Sequence, residues 1–242
     1  MPSECSLNSW DELVGSEPEA EMKGVKLNTK ATMLLIVLLA LSSFAVSSLA
    51  VPAHVFGEEP VALFNGKDLT GWTGAEYEVK DGVLICRGKN LRTEKQFSNY
   101  IMEFDFVLPP RGNNGLGIHY PGEGTPSGTG MELQILDNTH PKYAKLKDSQ
   151  YHGSLYKLQA AKRGFLKPVG EWNHQKVTVD GAKVVVELNG TTILDANLDE
   201  LAAKHPKHKG VKRRSGYICF CGHGAPVQFK NVTILELREQ SK

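Results

Sequence analysis

The sequence has no marked excess of charge and no segment with the periodicity of a long amphipathic helix. Its 242 residues include 28 Lys and Arg against 27 Asp and Glu, so the formal net charge is +1. Dedicated nucleic-acid-binding proteins usually carry a strong basic excess, and this balance argues against that class. The one basic cluster, residues 204–214, is broken by Gly and Pro and lacks aromatic residues, which is typical of a solvated loop.

The N-terminus lacks the pattern of a folded domain. Residues 1–30 are polar and aperiodic, whereas residues 31–50 are apolar or small throughout and follow three lysines. A basic flank, an apolar stretch and a small-residue end describe a secretory signal peptide, although twenty such residues can also span a bilayer as an uncleaved anchor. We predict that residues 1–53 are a polar leader plus signal peptide or membrane anchor. The mature protein is then periplasmic or extracellular, and only this segment contacts the membrane.

Cysteine is scarce. Cys5 lies in the predicted leader, which leaves Cys86, Cys219 and Cys221 for the mature chain. An exported protein can join one pair as a disulfide, and a bond from Cys86 to either of the others strains the strand less than a bond between the neighbouring two. Three reduced side chains are the alternative. A single C-x-C pair is also a weak metal signal.

Strand signals dominate residues 60–239, which we predict to form one all-β domain. D-G and N-G dipeptides between Val-rich runs predict hairpins over 76–86 and 176–194. Helical candidates are short and lie near 197–204. Alternating apolar and polar residues indicate further strands at 100–108, 115–120, 131–136, 215–220 and 227–237. So many antiparallel strands predict a jelly-roll sandwich of two antiparallel sheets.

The same alternation assigns small, polar and ionisable side chains to one outward face. Leucine and isoleucine take the core positions, so Gly115, Gly117 and His119 point outward on one strand and Glu132 and Gln134 on another. Glycines remove side chains and allow a close approach to the backbone. A concave sheet with this lining is a natural ligand groove.

The last strands extend this outward face, and several of its residues also have a structural explanation. Cys219, Cys221 and His223 fall on the outward positions of their segment. Asp137 can instead cap a turn together with the Asn that follows it, because Asx side chains bond their own backbone. Trp172 can serve the core rather than a sugar-binding surface.

Short motifs run through residues 64–237 in a fixed order. They are F-N-G-K-D-L-T-G-W (64–72), D-G-V-L (81–84), L-R-T (91–93), N-N-G-L-G-I-H (113–119), G-M-E-L-Q-I-L-D (130–137), H-G-S-L-Y (152–156), G-E-W-N (170–173), L-N-G (188–190) and G-H-G-x-x-V-x-F-K-N-V (222–232). The ordered series resembles the bacterial 3-keto-disaccharide hydrolase domain family, also described as 3-keto-glucoside lyase/hydratase. The resemblance implies a concanavalin A-like jelly roll, which agrees with the predicted strands.

The resemblance also implies an activity on a carbohydrate, a 3-keto-glucoside or related glycan. A ketone at C3 acidifies the C2 hydrogen, so a base can remove it, the C1–O bond leaves by elimination, and water then adds. Such a site needs a base, a group that stabilises the enolate and an acid. The candidate catalytic residues are Glu132, His119, Asp137 and His223. The candidate substrate-binding residues are Gln134, His152, Tyr156, Glu103 and Trp172.

Within this scheme Glu132 or His119 is the expected base, and Gln134 or a divalent cation is expected to steady the enolate. The expected acid is one of Asp137, His152 and His223. The four candidate catalytic residues are suitable ligands for a divalent cation. Their spacing matches no self-sufficient metal-binding motif, so no metal ligands are assigned.

One departure from the family pattern concerns the last motif. Related proteins usually have G-x-I-x-L-Q-x-H-G, whereas this chain has G-Y-I-C-F-C-G-H-G, with Cys221 in the glutamine position. A thiol cannot supply the donor and acceptor pair of an amide. The departure therefore bears on substrate preference and on activity itself.

Three other functions are compatible with the sequence. A retaining glycosidase needs two carboxyl groups about 5–5.5 Å apart, whereas Glu132 and Asp137 lie five residues apart, about 16 Å along a regular strand. Glu103 or Asp105 on another strand would have to supply the missing partner. A non-catalytic carbohydrate-binding module and a surface interaction domain are the remaining alternatives.

Overall fold

The computed structural model describes residues 59–238. The predicted leader and signal segment at 1–53, together with Cys5, lie outside these residues. Within residues 59–238, no helix has both the length and the apolar character needed to cross a membrane.

Thirteen strands and two short α-helices form between residues 59 and 238. The strands are β1 (Val61–Ala62), β2 (Trp72–Gly74), β3 (Glu78–Lys80), β4 (Val83–Ile85), β5 (Leu91–Phe97), β6 (Tyr100–Val107), β7 (Asn113–Tyr120), β8 (Met131–Leu136), β9 (Trp172–Asp180), β10 (Lys183–Leu188), β11 (Thr191–Asn197), β12 (Gly216–Phe220) and β13 (Gln228–Glu236). The helices are α1 (Pro126–Thr129) and α2 (Leu198–Lys204), the latter at the predicted position.

The strands form two sheets. One has eight strands, in the order β11-β10-β9-β6-β13-β4-β3 with β1 also on β13, and the other has five, in the order β2-β5-β12-β7-β8. All pairings between these strands are antiparallel. The prediction of an all-β fold with two antiparallel sheets is therefore confirmed.

Two of the predicted turn dipeptides close hairpins as expected. Both residues of the D-G turn at 81–82 and of the N-G turn at 189–190 have positive φ, which a type I′ turn requires. The third dipeptide, D-G at 180–181, lies one residue before the turn itself. Asp180 pairs with Lys183, so the two-residue loop is 181–182. Only Gly181 has positive φ there, which favours a type II′ turn.

Aromatic side chains join the two sheets. Phe220 of β12 stacks on Phe229 of β13 with ring centroids 4.1 Å apart, and its ring meets Phe104 of β6 edge-on at 6.0 Å. On its own sheet Phe220 stacks on Trp72 at 5.4 Å. These contacts fix one sheet against the other, so the outer face of the five-stranded sheet has a rigid base.

The three cysteines of the described region are buried and free. Cys86 belongs to the core between the sheets, where its sulfur accepts a hydrogen bond from the Asn114 amide at 3.1 Å. Cys219 and Cys221 cluster with Tyr120 on the outer face of the five-stranded sheet. Because this sheet separates the thiols, the predicted bond to Cys86 does not form, and the alternative of reduced side chains is confirmed.

We expect Phe220→Ala to lower the free energy of unfolding by about 3–5 kcal/mol, because it removes a fully buried ring and leaves a cavity between the sheets. Denaturant unfolding measures this loss. Val61→Ala, at a position that is 58% exposed, serves as the control and should change stability by less than about 0.5 kcal/mol. Equal effects of the two substitutions would contradict the role given to Phe220.

Candidate active site

Glu132 and His223 come together on the outer face of the five-stranded sheet. Oε1 of Glu132 lies 3.6 Å from Nε2 of His223. The Glu132 side chain is 7% exposed and the His223 side chain 47% exposed, so the carboxylate lies beneath an imidazole that faces solvent. Of the predicted catalytic residues, the structure brings these two into contact.

Glycine at residue 115 makes this arrangement possible. Strand β7 pairs with β8 so that Gly115 lies opposite Gln134, and Gly117 opposite Glu132. A Cβ atom on Gly115 would lie 2.0 Å from Oε1 of Glu132. The carboxylate therefore occupies the space above Gly115. The sequence predicts a close approach to the backbone at this glycine, and the group that approaches is a side chain of the same protein.

The Cys221 thiol lies beside the Glu132 carboxylate. The Cys221 amide donates to the carbonyl of Gly115 at 2.8 Å, and a Cβ on Gly117 would lie 3.4 Å from the Cys221 sulfur. Burial raises the pKa of the Cys221 thiol, and both Cys219 and the Glu132 carboxylate raise it further. Cys221 is therefore a neutral thiol at physiological pH, and it gives the site an apolar wall beside Glu132.

A segment of the long connection between β8 and β9 covers the neighbouring Gln134. Its side-chain nitrogen donates to the carbonyl of Gln150 at 3.3 Å, while its side-chain oxygen is buried without a hydrogen-bond partner. The Gln150 amide donates in turn to the Tyr156 hydroxyl at 3.0 Å, and the Tyr156 amide donates to the carbonyl of Glu132 at 2.8 Å. The predicted substrate-binding residues Gln134 and Tyr156 thus lie in one network next to Glu132.

His223 also opens onto a pocket of about 420 Å³. The pocket is lined by Pro110, Arg111, Asn113, Lys142, Tyr143, His223, Gly224, Ala225 and Pro226. Arg111, Lys142 and Tyr143 were not among the predicted site residues. The sequence signal that could identify Arg111 is P-P-R-G at 109–112. It places Arg at the third position of a Pro-containing turn, where a type II turn favours glycine.

His119 does not join this site, so its predicted place beside Glu132 is wrong. Its φ of 50° is left-handed and interrupts the alternation of β7, with the result that Tyr120 rather than His119 packs against the outer-face thiols. The buried His119 ring places Nε2 3.4 Å from the carbonyl oxygen of Ser98. Burial lowers the pKa of His119, although the bond to Ser98 opposes this in part.

Asp137 has a structural position, in line with the turn-cap alternative. One carboxylate oxygen accepts from the Arg111 amide at 3.0 Å, and the other accepts from the amide and hydroxyl of Thr139 at 3.0 and 2.6 Å. Burial raises the pKa of Asp137, but these hydrogen bonds outweigh it and the pKa is lowered overall. A carboxylate held ionised in this way is a poor proton donor, which argues against Asp137 as the acid.

His152 lies in the core, which corrects its prediction as an acid or substrate-binding residue. Its ring stacks on Phe106 with centroids 5.2 Å apart, and its Nδ1 accepts from the Leu136 amide at 3.4 Å. Burial lowers the pKa of His152 to about 3, although Gln175 partly opposes this. The imidazole is therefore neutral near pH 7.

Glu103 and Trp172 lie on the other sheet, which corrects their predicted place in one site with Glu132. Both belong to strands of the eight-stranded sheet, on the face opposite the core. Nε2 of His174 lies 3.3 Å from Glu103, and the Lys230 ammonium lies 4.1 Å from the Trp172 ring centroid. A period of two placed Glu103 on an outward position correctly but did not identify the sheet to which it belongs, and Trp172 lies on the outer face rather than in the core.

No three His, Cys, Asp or Glu side chains within residues 59–238 are placed to hold a metal ion. The four predicted donors are divided between separate surroundings, with His119 beside Ser98 and Asp137 beside Arg111. The residues therefore do not fit the expected divalent cation, and no chemical step is assigned to one.

We expect His152→Gln to weaken the acid sensitivity of folding. Because the pKa of His152 is about 3 in the native state and near 6.5 in the unfolded chain, its stabilising contribution is complete above pH 6.5 and falls as the pH drops below that value. Between pH 7.5 and 5 the wild type should lose about 2 kcal/mol more than His152→Gln, measured by denaturant unfolding.

His205→Gln, which exchanges a partly exposed histidine, is the control for this measurement and should retain the wild-type slope. Identical slopes for the wild type and His152→Gln would show that His152 does not titrate differently in the folded chain.

Comparison with known proteins gives the site a context. A 3-keto-disaccharide hydrolase from Bacteroides thetaiotaomicron is 26% identical over 246 aligned residues, which cover 81% of this chain and 83% of the relative. A solved structure of a candidate glycosyl hydrolase from Parabacteroides distasonis is 27% identical, covers 74% of this chain and 94% of its own, and superposes with a TM-score of 0.66. A second such structure is 24% identical, covers 74% of this chain and 100% of its own, and has a TM-score of 0.67.

More distant similarity concerns the fold alone. A Bacillus subtilis protein with a galectin-like fold is 13% identical, covers 75% of this chain and 99% of its own, and has a TM-score of 0.51.

Residues 59–235 match the family model of the 3-keto-alpha-glucoside-1,2-lyase-like domain, which spans most of the chain. This chain belongs to the 3-keto-alpha-glucoside-1,2-lyase-like domain family.

Proposed function

We propose that this chain cleaves 3-keto-glycosides by elimination followed by hydration, so that the net reaction is hydrolysis. The observation that carries the proposal is the contact between Glu132 and His223, a carboxylate and an imidazole 3.6 Å apart at the mouth of a pocket. Family membership and the relative named 3-keto-disaccharide hydrolase support the substrate class.

The two side chains suit the two proton transfers of an elimination. The ketone at C3 acidifies the hydrogen at C2, and Glu132 removes it as a proton. The electron pair of the C2–H bond forms the C1–C2 double bond, and the C1–O bond breaks. His223 protonates the departing oxygen, since imidazole is the side chain that both gives and takes protons near neutral pH.

Hydration reverses these transfers. Water adds at C1, and His223 accepts the proton that this water loses. Glu132, whose carboxylic acid proton exchanges with solvent water after the elimination, then protonates C2, which regenerates the starting protonation state of both residues. The products are a 3-keto sugar and the released alcohol, so one water is consumed in each cycle.

The surroundings of the other candidates favour this assignment. The His152 imidazole is neutral in the core, and the Asp137 carboxylate is bound by the Arg111 amide and Thr139. The same observations weaken the retaining-glycosidase alternative, which needs a second carboxylate close to Glu132. Asp105, offered for that purpose, lies on the eight-stranded sheet and bonds to His174 at 2.9 Å.

We expect Glu132→Gln to lower kcat/KM on a 3-keto-glucoside by about 10²–10⁴-fold, because an amide cannot accept the C2 proton. Initial rates of alcohol release measure this loss. Glu103→Gln is the matched control, since it makes the same change on a strand of the other sheet and should retain wild-type rates. Full activity of Glu132→Gln would refute the assignment, and saturable binding of glycosides without turnover by the wild type would favour a carbohydrate-binding module.

Gly115→Ala tests the placement of the carboxylate without removing it. A methyl group there would displace Oε1 of Glu132, which lies 2.0 Å from the added Cβ position, and we expect kcat/KM to fall about 100-fold. The fold should persist, because the nearest atoms that the added Cβ would meet all belong to the Glu132 side chain, which can take another rotamer. In a Glu132→Gln background the same substitution should cost less than threefold. Equal losses in both backgrounds would show that Gly115 acts independently of Glu132.

A further inference from the structure

The pocket beside His223 has an unbalanced charge. Arg111 and Lys142 line it together with His223, and its lining contains no Asp or Glu. Within residues 59–238 neither the Arg111 guanidinium nor the Lys142 ammonium forms a hydrogen bond or salt bridge; the ammonium lies 5.4 Å from the Tyr143 ring centroid. Two cations are thus available to a ligand close to the Glu132–His223 pair.

Arg111 is held at this pocket in an unfavourable backbone conformation. The Gly112 amide donates to the carbonyl of Pro109 at 2.8 Å, and Arg111, at the third position of this turn, has a φ of 63°. A type II turn favours glycine at this position, because a Cβ atom is strained there. A non-glycine residue in such a conformation is more common at functional sites than elsewhere.

The neighbouring residues fix Arg111 on both sides of its peptide. The Arg111 amide donates to the Asp137 carboxylate at 3.0 Å, and the Tyr143 hydroxyl donates to the Arg111 carbonyl at 3.1 Å. Neither bond uses the guanidinium, which remains available at the pocket. The buried carboxylate of Asp137 therefore positions Arg111. This is a structural role for Asp137, which has no part in the proposed proton transfers.

We infer that this pocket binds an anionic group of the substrate, so that the preferred substrates are acidic 3-keto-glycosides carrying a carboxylate, sulfate or phosphate. The preference for acidic substrates in the reaction rests on the proposed function, whereas the binding of an anion by the pocket does not. The planar guanidinium of Arg111 can hold such a group through two hydrogen bonds, and Lys142 adds a second positive charge. A volume of about 420 Å³ accommodates a charged ring or a charged sugar substituent.

Two matched pairs of substrates test the inference. The first pair is the 4-carboxyphenyl and 4-carbamoylphenyl 3-keto-α-glucosides, which place the charge on the leaving group. The second is the methyl 3-keto-α-glucuronide and methyl 3-keto-α-glucoside, which place it on the keto sugar. We expect kcat/KM to be about tenfold higher for the acidic member of one pair, and this ratio should fall as salt is added.

Variants assign the preference to the pocket. Arg111→Gly and Lys142→Gln should each lower the ratio of acidic to neutral kcat/KM to below about threefold. Because glycine fits the turn, Arg111→Gly should melt at or above the wild-type temperature, which separates lost recognition from misfolding. Lys145→Gln, the same change on an exposed lysine of the same connection and outside the lining, should keep the wild-type ratio.

Ratios within twofold of unity for both pairs, in a wild type that turns them over, would overturn the inference and leave the proposed function intact. If no 3-keto-glycoside is turned over, the proposed function fails, and calorimetry with the unoxidised 4-carboxyphenyl and 4-carbamoylphenyl glucosides decides the inference. Tighter binding of the acidic glucoside that Arg111→Gly abolishes would support it. Equal binding of the two would overturn it.

Discussion

The missing side chain at residue 115 is the constraint on which the site depends. Oε1 of Glu132 lies 2.0 Å from the position that a Cβ atom of any other residue would take, and it is 3.6 Å from Nε2 of His223. The pairing of β7 with β8 fixes this relation, because a slip of one residue would turn Glu132 into the core. A local backbone feature thus determines the position of the Glu132 carboxylate.

The sandwich supplies the rigid base for this contact. Phe220 packs against both sheets and ends the strand that leads through Cys221 to His223. On the outer face of the five-stranded sheet, the neighbours of the Glu132 carboxylate are the neutral Cys221 thiol and the Gln134 side chain, which the connection between β8 and β9 covers. The pair is consequently open on the side of His223, where the pocket begins.

Asp137 links the strand that carries Glu132 to the pocket beside His223. It follows β8, the strand that carries Glu132, and its carboxylate holds the turn that presents Arg111. One strand therefore positions both the proposed base and the residue proposed to recognise an anion. A substitution at Asp137 should therefore alter the proposed anion recognition without removing a group that is proposed to transfer a proton.

The sequence predicts the strands and the main carboxylate well, because both depend on local signals. Alternation over 131–136 is enough to place Glu132 on the outer face of its sheet, where its side chain is largely buried, and the turn dipeptides at 81–82 and 189–190 fix two hairpins. His119 was misplaced because its left-handed backbone exchanges the two faces of β7, and nothing in its neighbours signals this. The signal segment at 31–50 stays a prediction.

The remaining errors come from tertiary contacts that periodicity does not contain. Glu103 and Trp172 occupy outward positions, but the strand order places them on the other sheet. His152 follows the β8 strand on a connection without periodic pattern, and its burial against Phe106 appears only in the folded chain. Arg111 was missed because its importance depends on a backbone conformation.

Hydrogen exchange at C2 tests the account most directly. Turnover of a 3-keto-glycoside in D₂O, with the product reduced by borohydride early to stop its own exchange, separates elimination from direct displacement at C1. Elimination by Glu132 and subsequent hydration place one solvent deuterium at C2 of the released sugar. Retention of the original hydrogen at C2, at the full rate of alcohol release, would contradict the account.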